Sequence, residues 1–166
     1  YLMQKHELIA EVDVLLGGRA AEEVFIGEIS TGAGNDLERA TGIIKSMATI
    51  YGMSDIAGLM VLEKRSNQFL GGQTQKDFSD AMAKDLDDHV KSMLNERYSI
   101  VLESLKNHST AIEQMTAELL EIEVISGERV REIIIQNGGK VFEGEDLHSE
   151  MIVNKKETQE EATEEK

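Results

Sequence analysis

Residues 29–41 read ISTGAGNDLERAT, a glycine-rich turn that leads directly into a helical pattern. Apolar residues then recur at three- and four-residue intervals, which predicts an amphipathic helix from about Leu37 to Tyr51, ending at Gly52. Asp36 lies in the first turn of this helix, where a carboxylate favours the positive end of the helix dipole. The sequence therefore places an acidic side chain at a helix N-terminus.

The spacing leaves two interpretations of Asp36 open. Asn35 or Asp36 can cap the helix, because both residue types offer side-chain acceptors to the first free N–H groups. Alternatively, Asp36 can bind a metal, since Gly32 and Gly34 leave room for ligands from a separate helix. The spacing alone favours the cap. A phosphate loop is excluded, because no Gly-Lys-Ser/Thr follows Gly34 and Asp36 would repel the anion.

Helical patterns also occupy both sides of this segment. The first runs from about Glu7 to Val24 and a long one from about Phe78 to Lys106, while Ser109 and Ser126 are predicted to cap two shorter helices. Two short apolar stretches, residues 59–62 and 69–71, predict a small β-hairpin. The predicted fold class is mainly α with that one hairpin.

Adjacent glycines, Gly17 and Gly18, interrupt the first predicted helix. Each costs about 1 kcal/mol relative to Ala inside a helix, and such a cost is usually tolerated for close backbone packing or a kink. The pair predicts a buried crossing against a neighbouring helix.

Composition excludes several classes of function. A net charge of −15 repels phosphate backbones, so nucleic acid is not expected as a partner. The chain has no cysteine, so any transition metal must be held by His, Asp and Glu. No apolar run approaches the ~20 residues that cross a bilayer. The start at Tyr1 is neither a signal peptide nor an initiator, and we expect the chain to begin within a domain.

The pair His6-Glu7 opens the helical zinc motif, in which a second histidine follows four residues after the first. Ala10 stands at that position, so the pair is interpreted as the polar start of the first helix. The remaining histidines, His89, His108 and His148, are isolated at spacings that form no metal site.

The C-terminal residues 143–166 hold nine acidic and three basic residues and almost no periodic apolar face. This composition predicts a tail that is disordered from about residue 157. We therefore divide the chain into a domain of residues 1–138, with subdivisions 7–75 and 76–138, and an acidic tail of residues 139–166.

Several separate motifs, in order, resemble the peptidase domain of the FtsH family, the membrane-anchored ATP-dependent zinc metalloproteases of bacteria, mitochondria and chloroplasts. The resemblance covers about Leu8 to Ile135. Its motifs are LGGRAAEE (16–23), STGAGNDL (30–37), RAT (39–41), YGMS (51–54) and FLG (69–71).

The resemblance implies that Asp36 corresponds to the third zinc ligand of the family. The other two ligands are histidines of a His-Glu-x-x-His helix, which with the ATPase module and its ATP and Mg²⁺ would precede Tyr1. It also implies a homo-hexameric chamber for protein substrates and an inner-membrane location facing the cytoplasm, anchored by a preceding region. Because Asp36 alone cannot hold zinc tightly, we expect this segment by itself to be inactive.

A second hypothesis is a non-enzymatic helical module for oligomerisation or interaction. In that case the motifs only shape the fold and Asp36 only caps its helix. A substrate-binding domain of an unrelated pathway is a third alternative that rests only on negative charge.

Overall fold

The computed structural model of the chain describes residues 2–63 and 78–141. Within these ranges it is mainly α, which confirms the predicted fold class. The elements are α1 (Lys5–Ala21), a π-helical turn (Glu22–Ile26), α2 (Gly34–Thr49), α3 (Asp80–Asn107), α4 (Ser109–Ile122) and α5 (Gly127–Gln136). The chain divides into one unit of residues 1–107 and a second of residues 108–166. The domain boundaries drawn from the sequence stay predictions.

The first unit is built on an apolar core shared by α1, α2 and α3. The apolar residues that recur at helical spacing in α1 and α2 are mostly buried, namely Leu8, Val12, Leu15, Leu16 and Ala20 in α1 and Ala40, Ile44, Met47 and Ala48 in α2. Burying one such Leu or Ile side chain contributes about 1.5–3 kcal/mol, so this core fixes how the three helices pack. Its buried members are Val12, Leu15, Leu16, Ala20, Ala40, Ile44 and Val101.

A polar contact reinforces the packing of α3 on α1. Arg97 of α3 binds Asp13 of α1 with two hydrogen bonds, one of them from Nε to Oδ1 at 2.8 Å and the other from the terminal nitrogen to Oδ2. The hydrogen bonds to Asp13 raise the pKa of Arg97. A paired guanidinium and carboxylate of this geometry fix both distance and orientation between two helices.

The first helix departs from its prediction at two places. The α-helix ends at Ala21 and continues as a π-helical turn, which Gly27 ends with a φ of 79°. A Cβ at Gly17 or Gly18 would meet nothing within 4 Å, so the predicted helix crossing at the glycine pair is not made by the described residues. The glycines lie instead on an open part of α1.

The predicted β-hairpin is wrong for its first half. Residues 59–62 form no strand, and the backbone N–H of Leu62 donates to the carbonyl of Thr49 at 2.8 Å. Leu62 is buried while Leu59 and Met60 are exposed, so the segment folds over the end of α2 instead of pairing with a strand. Residues 69–71, the second half of that prediction, lie outside the described residues.

The second unit contains α4 and α5. Ser126 caps α5 as predicted, because its hydroxyl accepts a hydrogen bond from the N–H of Arg129 at 3.1 Å. The predicted cap at Ser109 is wrong: α4 already begins at Ser109, and the preceding His108 makes no side-chain cap. Arg129 also links the two helices through Glu118, with Nε to Oε2 at 2.9 Å. The predicted disordered tail lies outside the described residues.

None of the helices in residues 2–63 and 78–141 is both long and apolar enough to cross a membrane.

A strained residue ends α4. Glu123 has a φ of 62°, a left-handed conformation that glycine adopts without steric cost. We predict that Glu123→Gly raises the free energy of unfolding by about 0.5–1 kcal/mol. The control Glu113→Gly, at an exposed position inside α4, should lower it by about 1 kcal/mol. Thermal unfolding of both variants checks this, and a less stable Glu123→Gly would contradict it.

Candidate metal centre

The turn before α2 is held in place by one carboxylate. Glu22, the first residue of the π-helical turn, accepts hydrogen bonds from the backbone N–H of Ser30 at 3.0 Å and from the Ser30 hydroxyl. Ser30 Oγ in turn accepts from the N–H of Gly32 at 3.1 Å. The Glu22 side chain therefore connects the end of α1 to the turn that leads into α2.

These hydrogen bonds also set the electrostatics of the turn. The hydroxyl and the backbone N–H of Ser30 hold the pKa of Glu22 below the usual value for a glutamate, because both donors favour the charged carboxylate. The close packing of the turn leaves little room for a side chain at position 32, since a Cβ at Gly32 would lie 3.2 Å from Ser30 Oγ. A glycine at position 32 therefore fits the turn that the Glu22 carboxylate stabilises through Ser30.

Asp36 is the third residue of α2 and is partly exposed. It lies one helical turn before Ala40 and two before Ile44, so it extends the buried face of α2 toward the N-terminus. Its carboxylate forms no hydrogen bond or ion pair with any residue of the described ranges. Asp36 therefore retains its acceptor capacity for a ligand.

The helix cap that the spacing favours is not formed. The N-cap of α2 is Ala33, which has no side-chain acceptor, and Asn35 and Asp36 are already the second and third helical residues. The glycines and Ser30 organise the turn, so the helix begins before either predicted cap. This corrects both forms of the cap interpretation, at Asn35 and at Asp36.

Within the part of the chain that the structure describes, Asp36 is a single candidate carboxylate and belongs to no ready-made metal cluster. In residues 2–63 and 78–141 no three His, Asp or Glu side chains lie close enough to hold an ion. His6 is followed by Ala10 on α1, His89 Nε2 lies 3.1 Å from the buried Ser54 Oγ, and His148 lies outside the described residues. Asp36 fits zinc as one ligand, since a carboxylate oxygen without a competing partner is an ordinary zinc donor.

A second polar contact supports the same region, and local sequence patterns gave no sign of it. The hydroxyl of Tyr98 on α3 donates to Glu23 Oε2 at 2.6 Å. Partial burial and this hydrogen bond raise the pKa of Tyr98. The consecutive residues Glu22 and Glu23 therefore bind different elements, the turn before α2 and the body of α3.

Comparison with known families assigns the chain. The family model of Peptidase family M41 matches residues 1–133. The chain belongs to peptidase family M41. This confirms the resemblance that the glycine-rich turn and its neighbouring motifs indicate.

Relatives of the chain carry the name ATP-dependent zinc metalloprotease FtsH. The protein of Helicobacter felis is 64% identical over 136 residues, which are 81% of this chain and 21% of the relative. That of Sulfurovum sp. is 62% identical over 135 residues, 81% of this chain and 20% of the relative. That of Clostridium perfringens is 39% identical over 134 residues, which are 81% of this chain and 19% of the relative. The chain thus spans about a fifth of the length of these relatives.

The hydrogen bonds of Glu22 predict a pH dependence of the turn. Because the pKa of Glu22 is lowered on folding, its stabilising effect is present above the ordinary glutamate pKa of about 4.3 and is lost as the pH falls through the lowered value. An NMR titration should show the amide proton of Ser30 shifting in this acidic window. In a Glu22→Gln control that shift should disappear, and an identical titration in both forms would contradict the prediction.

Proposed function

We propose that this chain is part of an ATP-dependent zinc metalloendopeptidase and that Asp36 supplies one of its zinc ligands. The observation that carries the proposal is the Asp36 carboxylate at the start of α2, which has no partner among the residues that the structure describes, in a chain that belongs to peptidase family M41. The name of the relatives, a zinc metalloprotease dependent on ATP, supports the metal and the reaction class.

The residues of this chain hold and orient the ligand. Asp36 would bind the metal through its carboxylate, and Glu22 fixes the turn from which α2 begins by accepting the hydrogen bonds of Ser30. The packing of Ala40 and Ile44 in the core keeps α2 from shifting. When bound, zinc supplies a Lewis acid that acidifies a water molecule and polarises the scissile carbonyl.

The remaining ligands would come from the rest of the peptidase domain, where the family carries two histidines and a catalytic Glu on a His-Glu-x-x-His helix. One face of α1 suits such a neighbour. Ala10, Val14 and Gly17 follow each other at helical spacing opposite the buried Leu8 and Val12, and Val14 is 78% exposed. The open space at the glycine pair would admit a helix at close range.

The wider proposal follows the family resemblance. ATP and Mg²⁺ would act at an ATPase module, the protein would assemble as a homo-hexamer with a chamber for protein substrates, and it would be anchored in the inner membrane, facing the cytoplasm.

An exchange of the ligand tests the central part of the proposal. In the full-length protein, Asp36→Asn should weaken zinc binding by at least about 100-fold, more than the loss of an outer-shell partner causes, and should abolish most proteolysis. ATP hydrolysis should persist. Zinc content and casein degradation are measured beside Glu38→Gln, which alters an exposed carboxylate of the same helix. Unchanged zinc occupancy in Asp36→Asn would contradict the ligand role of Asp36.

A second prediction concerns the 166-residue chain by itself. With one candidate ligand it should neither bind zinc tightly nor cleave casein, because a catalytic zinc site needs three protein ligands. Zinc content after dialysis and a casein assay with and without a chelator measure this. Chelator-sensitive cleavage by the isolated chain would show that it carries a complete site.

A further inference from the structure

The π-helical turn Glu22–Ile26 has little apolar packing to hold it. None of its five residues is buried, and the side chain of Ile26 is 71% exposed. Backbone geometry of this kind is rare and occurs mostly as single turns, frequently at functional sites. Its position must therefore depend on polar contacts to better-packed elements.

Two consecutive carboxylates make these contacts in different directions. Glu22 accepts hydrogen bonds from the N–H and hydroxyl of Ser30, while Glu23 Oε2 accepts one from the Tyr98 hydroxyl at an oxygen–oxygen distance of 2.6 Å. The first contact positions the turn before α2, and the second attaches the π-helical turn to α3.

The element on the other side of the contact, α3, is well packed. In α3, Arg97 binds Asp13 near the middle of α1, and Val101 lies in the apolar core. Tyr98 itself packs against this core, so its placement does not depend on the Arg97–Asp13 contact. Arg97 and Tyr98 therefore have neighbouring but separable roles, since one holds α1 itself and the other holds the turn that follows it.

The connection continues to the start of α2. Gly32 donates to Ser30 Oγ, and the next residue is Ala33, the buried N-cap of α2. Asp36 follows in the first turn of that helix. A continuous set of hydrogen bonds and short backbone segments thus joins α3 to the candidate zinc ligand.

We propose that Tyr98 is a positioning residue for the metal site: through Glu23 it fixes the π-helical turn, and thereby the Glu22–Ser30 contact that sets Asp36. The inference rests on the proposed zinc function of Asp36. It assigns Tyr98 no contact with the metal or with substrate.

The test uses Tyr98→Phe in the full-length protein, a change that removes only the hydroxyl. Outer-shell partners of metal ligands contribute about 10- to 100-fold to affinity, and for this more distant contact we expect zinc binding about 3- to 10-fold weaker, measured by competition with a chromophoric chelator. In the metal-free protein, peptides covering residues 27–34 should exchange amide hydrogen at least about 3-fold faster by mass spectrometry, because the turn opens more often.

Matched variants separate positioning from general stability. Arg97→Gln removes the neighbouring contact to α1 and should lower the melting temperature, with zinc affinity and exchange of residues 27–34 unchanged within about twofold. Glu23→Gln retains an acceptor for the Tyr98 hydroxyl and should behave like the native protein. Glu23→Ala should reproduce Tyr98→Phe, and combining the two should add no further loss.

Native-like zinc affinity and amide exchange in Tyr98→Phe would overturn the inference. It would also be overturned if Arg97→Gln changed zinc affinity and the exchange of residues 27–34 as much as Tyr98→Phe does. Asp36→Asn, measured in parallel, separates the two proposals. If Asp36→Asn loses zinc while Tyr98→Phe is native-like, only the role of Tyr98 is wrong. If Asp36→Asn retains zinc, the ligand role proposed for Asp36 is wrong, and the positioning role of Tyr98 is wrong with it.

Discussion

The packing of α1 against α2 is the constraint on which the candidate site depends. Ala20 and Ala40 are completely buried, and with Leu16 and Ile44 they fix the separation of the two helices. The π-helical turn and the glycine-rich turn span the gap between the helix ends. The packed helices fix both ends of this connecting segment. A small set of hydrogen bonds is therefore enough to give the two turns, and Asp36 after them, one defined position.

The site itself is polar and lies where apolar packing ends. Glu22 and Glu23 stabilise it by accepting hydrogen bonds from Ser30 and Tyr98, so each of these carboxylates has a partner although the chain carries a net charge of −15. Asp36 has no such partner within the described residues. A carboxylate in the first turn of a helix is stabilised by the helix dipole, and a bound cation would add to that stabilisation without displacing an existing hydrogen bond.

Local patterns predicted the parts of this structure that depend on neighbours in sequence. Leu8, Val12 and Ile44 follow helical periodicity, and Ser126 caps α5 through a residue three positions away. Contacts between residues far apart in sequence were not predicted. Glu22 binds Ser30, eight positions away, and Glu23 binds Tyr98, 75 positions away. The expected cap at Asn35 or Asp36 was wrong for the same reason, because Glu22 of the π-helical turn binds Ser30 and α2 begins at Gly34, before either residue.

Direct observation of the metal in the full-length protein tests the central claim, that Asp36 is a zinc ligand. An anomalous difference map recorded at the zinc absorption edge locates the ion without any change to the protein. We expect a zinc peak about 2.0–2.2 Å from one carboxylate oxygen of Asp36, the usual zinc–carboxylate distance. A fully coordinated zinc ion whose ligands all come from other residues would contradict it.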